Sequence, residues 1–93
     1  MPPYRVLFRQ VAQKEFDHLS DGQRKAAQTP IDLLESDATP PGAELVAGFD
    51  TLWKIKGRDV AVVYEAPDAR GDIYIIKVGF SPEVYEDLGS RLN

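Results

Sequence analysis

Residues 52–79 read LWKIKGRDVAVVYEAPDARGDIYIIKVG. Three runs rich in β-branched and aromatic residues are separated by Gly57-Arg58-Asp59 and by the stretch Pro67-Asp68-Ala69-Arg70-Gly71-Asp72. Short runs of this kind, close in sequence and broken by Gly, Pro and Asp, predict an antiparallel three-stranded meander. The first run alternates with a period of two. Trp53 and Ile55 take one face and Lys54 and Lys56 the other. Two lysines on one face of a sheet are either its solvated side or the floor of a polyanion site.

Outward from the meander, Tyr4, Val6 and Phe8 alternate with Arg5, Leu7 and Arg9, which predicts a half-buried first strand. From Gln10 the period lengthens. Val11, Ala12, Phe16 and Leu19 fit a short amphipathic helix. Ser20 with Gln23 three residues on has the spacing of a capping box and starts a second helix, whose apolar side holds Ala26, Ala27, Ile31, Leu33 and Leu34. Pro30 inside it removes a backbone donor and is expected to kink or split it. The stretch 37–43 is a loop by composition, and Gly48 ends any structure in 44–50. Ser81 and Pro82 read as an N-cap and first turn of a last short helix, with Val84, Leu88 and Leu92 as its stripe.

The order is β-α-α-β-β-β-α. It predicts an α+β domain spanning 1–93: a four-stranded antiparallel sheet with two helices packed on one face and the lysines on the other. Of the chain, 43% is apolar and 28% charged, which is globular rather than disordered composition. No apolar run is long enough to span a membrane, and Met-Pro-Pro-Tyr-Arg at the start lacks the apolar region of a secretory signal. With no cysteine, thiolate metal sites and cysteine nucleophiles are excluded, and a cytoplasmic setting with no membrane partner is expected. The net charge of −4 counts against an autonomous nucleic-acid binder, while leaving room for a local cationic patch. His18 is the single histidine and sits among Glu15 and Asp17, so it reads as a surface residue, and neither a metal nor a cofactor is expected. Tyr64, Tyr74 and Trp53 read as packing residues.

The order and several fragments resemble the RelE/ParE superfamily of bacterial type II toxins. The fragments are Tyr4-Arg-Val-Leu-Phe8, Leu33-Leu34-Glu35-Ser36, Leu45-Val-Ala-Gly48, Leu52-Trp-Lys-Ile-Lys56, Val62-Val-Tyr64, Ile76-Lys-Val-Gly79 and Glu83-Val-Tyr85. The resemblance covers nearly the whole chain and implies a RelE-like fold. For the RelE-like members it also implies a metal-free endoribonuclease that cuts mRNA on the ribosome, and an antitoxin protein as partner, in a hetero-oligomer or alongside a homodimer. In that pattern Lys54 and Lys56 match a catalytic Lys-x-Lys pair, and Tyr85 matches a tyrosine near the C-terminus. Two arginines of the pattern are missing. Ala61 stands where the third-strand arginine belongs, and Phe80-Ser81-Pro82 follow Gly79 where the second is expected. Lys77 shares a strand face with Gly79 and Ser81, so a three-lysine basin with Arg58 as a fourth charge is expected to bind substrate in their place. The missing arginines keep a second reading open: a non-nuclease relative, gyrase-directed or inactive, that acts through protein binding.

Overall fold

The computed structural model describes residues 3–80, 83–86 and 88–91. The elements run β1 (Arg5–Phe8), α1 (Gln10–Asp17), α2 (Asp21–Leu34), β2 (Glu44–Leu45), β3 (Leu52–Gly57), β4 (Val60–Glu65) and β5 (Asp72–Phe80). A 3-10 turn (Glu83–Tyr85) and α3 (Leu88–Arg91) close the chain. The meander forms with the register Lys54 opposite Val63 and Lys56 opposite Ala61. Both helices pack on one sheet face, as expected for an α+β domain.

The sheet differs from the expectation in two details. It has five strands in the order β1-β5-β4-β3-β2, and β1 runs parallel to β5. The extra strand is two residues long, too short to leave an alternation in the sequence. The parallel pairing follows from the crossover: α1, α2 and the meander carry the chain back so that β5 runs beside β1 in the same direction. Arg5 and Asp72 are direct partners in that ladder. The Arg5 guanidinium donates to both carboxylate oxygens at 3.1 and 3.0 Å, which pairs the buried Asp72.

The capping box is present in full. Gln23 N–H donates to Ser20 Oγ at 3.3 Å and Ser20 N–H to Gln23 Oε1 at 3.0 Å. α2 runs through Pro30 as one helix rather than splitting. Proline has no N–H to offer the carbonyl of Ala26 four residues back. That oxygen instead lies against Gly57 on β3, where an added Cβ would stand 1.9 Å from it. Glycine is therefore needed at position 57 for close approach between helix and sheet.

The layer under the helices holds Ile55, Val60, Val62, Tyr64, Ile73, Ile75 and Val78, all buried, with Trp53 half-buried beside them. The Tyr64 hydroxyl donates to the Ala38 carbonyl at 2.8 Å. Burial, and then the charge of Asp37, pushes the Tyr64 phenol above its ordinary pKa, so Tyr64 is a neutral packing residue.

The opposite face is not bare. Val46, Leu52, Ala61, Val63, Ile76, Val84 and Leu88 form a second buried cluster there. The C-terminal turn and α3 thus cover part of the face that the sequence pattern left open. Among the described residues, the expected last helix is seen as the 3-10 turn Glu83–Tyr85 and the helical turn Leu88–Arg91. Ser81, Pro82 and Leu92 lie outside the described residues.

Asp68 organises the β4–β5 connection. Its carboxylate accepts from the backbone N–H of Asp72 at 3.0 Å and of Arg70 at 2.9 Å. The first of these bonds holds the Asp68 pKa below the usual carboxylate value. A depressed folded-state pKa contributes stability above the unfolded value, about 3.9, that is lost as pH falls through the folded value. Asp68→Ala is expected to be less stable than the parent chain at pH 7, with the gap closing as urea midpoints are followed below pH about 4.

Candidate nucleic-acid interface

Lys54 and Lys56 project from β3 on the face away from the helices, since their partners Val63 and Ala61 belong to the second cluster. Lys54 is half-buried and Lys56 exposed. The Lys54 Nζ lies 4.7 Å from the centroid of the Tyr85 ring, a cation–π distance. Val84 beside Tyr85 is buried against the sheet, so the ring is held in place by its neighbour. Lys54, Lys56 and Tyr85 line one groove of about 320 Å³ together with Glu44. Three residues singled out from the sequence are thus brought together. Glu44 was not singled out. It lies directly across from Lys54 on β2, a pairing hidden by the shortness of that strand.

Lys77 reaches the same face by way of a β-bulge. Val62 pairs with Val78 and Tyr64 with Ile75, both pairs under the helices, while Val63 alone opposes Ile76 and Lys77. An extra residue in one strand flips the alternation beyond it. Without the bulge, Lys77 would share the parity of Ile73 and Ile75 and point at α1 and α2. With it, Lys54, Val63 and Lys77 form one cross-strand row, the lysine Cα atoms roughly 10 Å apart at two strand spacings. The Lys77 Nζ donates to the carbonyl of Glu86 at 2.6 Å, at the end of the turn that carries Tyr85.

Arg58 is placed elsewhere. It occupies the β3–β4 hairpin with φ of 60° and lines a different groove, beside α2. The missing arginine positions are also visible. Ala61 and Gly79 are direct ladder partners in the row that starts at Lys56. Ala61 is 0% exposed, and a Cβ on Gly79 would meet Val84 at 3.7 Å.

A second cation–aromatic pair was not legible. Arg9 stacks on Tyr74 at 4.3 Å from the ring centroid and pairs with Glu65 at 3.2 Å. Its partners come from β4 and β5, so no local spacing announces it. His18 is exposed, with its Nδ1 2.7 Å from the Lys14 carbonyl, and takes no part in the groove. Among the described residues no three His, Asp or Glu side chains are grouped to hold a metal ion. No described helix is long and apolar enough to cross a membrane.

A five-stranded sheet with two helices packed on one face is the RelE-like fold. The free double arginine-to-alanine mutant of the E. coli toxin RelE superposes with a TM-score of 0.79 at 23% identity, over 97% of this chain and 98% of that one. The same toxin mutant bound to a peptide of the antitoxin RelB gives 0.72 at 27% identity over 94% of each chain. The archaeal RelE–RelB complex of Pyrococcus horikoshii gives 0.73 at 21% identity, over 88% of this chain and 98% of that one. No protein-family model and no curated protein matches the sequence.

Proposed function

We propose that the chain is the toxin of a type II toxin–antitoxin pair and that it cuts mRNA on the ribosome without a metal. The observation that carries this reading is Lys54 stacked on Tyr85 next to the exposed Lys56, in one groove on the sheet face away from the helices. The fold likeness to RelE toxins, several of them solved with RelB, supports an antitoxin as partner.

In such cleavage the ribose 2′-oxygen forms a bond to the adjacent phosphorus and the bond to the 5′-oxygen breaks. The 2′-hydroxyl loses a proton, the leaving oxygen gains one, and the phosphorane between them carries extra negative charge. Lys56 meets that charge directly. Lys54, fixed by the ring of Tyr85, stands beside it and assists proton transfer. The ring of Tyr85 positions a base of a single-stranded substrate. Lys77 adds positive charge along the row from Lys54, and its bond to the Glu86 carbonyl steadies the turn that bears Tyr85.

The test is induced expression in a bacterial host, with growth followed and transcript 5′ ends mapped. Growth arrest with cuts inside translated codons is expected. Lys54→Ala with Lys56→Ala is expected to lower cleavage by about a hundredfold or more, the scale of a lost transition-state contact. Arrest without cuts overturns the nuclease reading and points to another target.

The second reading is a protein-binding relative without nuclease activity. Ala61 and Gly79 favour it, because no guanidinium stands in the row beyond Lys56. Glu44 favours it too, since a carboxylate opposite Lys54 repels phosphate. A folded product that neither arrests growth nor cuts RNA would make this the leading account.

A further inference from the structure

The backbone N–H of Arg9 donates to the Ile75 carbonyl at 2.9 Å, which continues the parallel β1–β5 ladder one residue past Phe8. Arg9 therefore falls beside Ile76, in the cross-strand row that holds Val63, Lys77 and Lys54. The row thus carries cations on β3, on β5 and at the end of β1, over roughly 15 Å at three strand spacings. The Arg9 guanidinium lies over the Tyr74 ring, 4.3 Å from the centroid, and donates to Glu65 at 3.2 Å. Tyr74 packs on the second cluster, and Glu65 is the ladder partner of Leu52 in that cluster. All three side chains thus stand on the sheet face away from the helices. Both cation–aromatic contacts among the described residues lie on this face, and each sets a cation over a tyrosine.

As a structural device this arrangement is weak. The side chains of Arg9 and Glu65 are 53% and 28% exposed, and an exposed ion pair stabilises a fold little. What it does achieve is to fix a plane. The ring supports one face of the guanidinium, Glu65 sets its rotation, and over half of the side chain stays open to solvent. A guanidinium plane stacks on a nucleobase, and its remaining N–H donors suit a phosphate oxygen. Lys54 and Lys77 supply charge without a plane. An acidic peptide would use the charge of Arg9 and leave the plane idle, so the geometry favours a nucleic acid. The nearby carboxylates are neutralised, Glu65 by Arg9 and Asp72 by Arg5, while Glu44 lies at the far edge of the sheet, opposite Lys54.

We infer that Arg9 on Tyr74 is a second nucleotide subsite, which stacks a base of single-stranded RNA and contacts a flanking phosphate outside the Lys54–Tyr85 groove. It rests on the RNA-cutting reading of the chain and adds to it. Substrate is held at two tyrosine-backed cations, with Lys77 and the C-terminal turn tied to it between them.

The experiment uses the full chain, ¹⁵N-labelled, titrated with a single-stranded RNA hexanucleotide methylated at every 2′-oxygen. No hydroxyl is then present to attack, and binding is read without cleavage. The amides of Arg9, Glu65 and Tyr74 are expected to shift saturably, together with those of Lys54 and Tyr85. Arg9→Gln, at an exposed position, is expected to weaken binding about tenfold and to lower the salt dependence by about one phosphate contact. Arg9→Lys is expected to restore the salt dependence and only part of the affinity, since it returns charge without the plane. Tyr74→Phe keeps the ring and is expected to bind like the parent. Urea midpoints of the variants check that each is folded. Shifts confined to Lys54 and Tyr85, Arg9→Gln binding like the parent, or no response at millimolar RNA would each overturn the subsite. Equal shifts at Arg9 from polyglutamate would overturn it too, in favour of an acidic protein. The titration needs no cleavage, whereas the toxin reading fails on growth arrest without cuts, so the two failures are told apart.

Discussion

Gly57→Ala is expected to lower the unfolding free energy by about 3 kcal/mol, at the upper end of overpacking costs. The added methyl would stand 1.9 Å from the Ala26 carbonyl oxygen and 2.8 Å from its carbon. Neither atom is the end of a flexible side chain. Both belong to the backbone of α2, so relief requires the helix to move away from β3. That movement would loosen Ala27, Pro30 and Ile31, the buried residues of that same helix. The measurement is a urea titration. A lower midpoint at an unchanged slope is expected, because the defect lies in the folded state. Gly89→Ala is the control, since nothing lies within 4 Å of the Cβ it would add. If Gly57→Ala unfolded at the parent midpoint, the helix–hairpin contact at Ala26 would not be as described.

That contact shows what sequence patterning can and cannot carry. Pro30 signals that the Ala26 carbonyl loses its helical donor, and this much is local. Which strand meets the freed oxygen is a tertiary fact with no periodicity. The same division holds elsewhere. The capping box at Ser20 and the meander register were legible because each depends on residues close in sequence. The shared face of Lys54 and Lys56 was legible from alternation alone, while their reading as a site, like that of Tyr85, came from the resemblance. The parallel direction of β1 was not legible, because it depends on where the whole crossover ends. β2 escaped notice because two residues cannot show a period. Lys77 was placed on the expected face, yet the physical cause is the extra residue at Ile76, which strict alternation does not foresee. Arg58 was grouped with the lysines by sequence proximity, and a left-handed hairpin conformation turned it to another groove.

The second buried cluster leads to the other large effect. Ala61→Arg places an arginine where the RelE-like pattern has one, and it is expected to destabilise the chain by about 3 kcal/mol with no gain in RNA cleavage. Ala61 is fully buried in a cluster with Val84 and Leu88, and its ladder partner Gly79 lies directly under Val84. A guanidinium there must either lose water among aliphatic side chains or push the C-terminal turn off the sheet. Lifting the turn exposes Val84 and Leu88, each contributing about 1.5–3 kcal/mol by burial. It also removes Tyr85 from Lys54 and Glu86 from Lys77, which dismantles the groove. The alanine is thus matched to the packed C-terminal segment, and adding the arginine alone does not rebuild the site. Urea midpoints of the parent and Ala61→Arg, with RNA cleavage measured on the same preparations, check both parts. Unchanged stability together with faster cleavage would mean that the segment yields to the arginine at little cost. The small residue at 61 would then limit activity, rather than serve the packing of Val84 and Leu88.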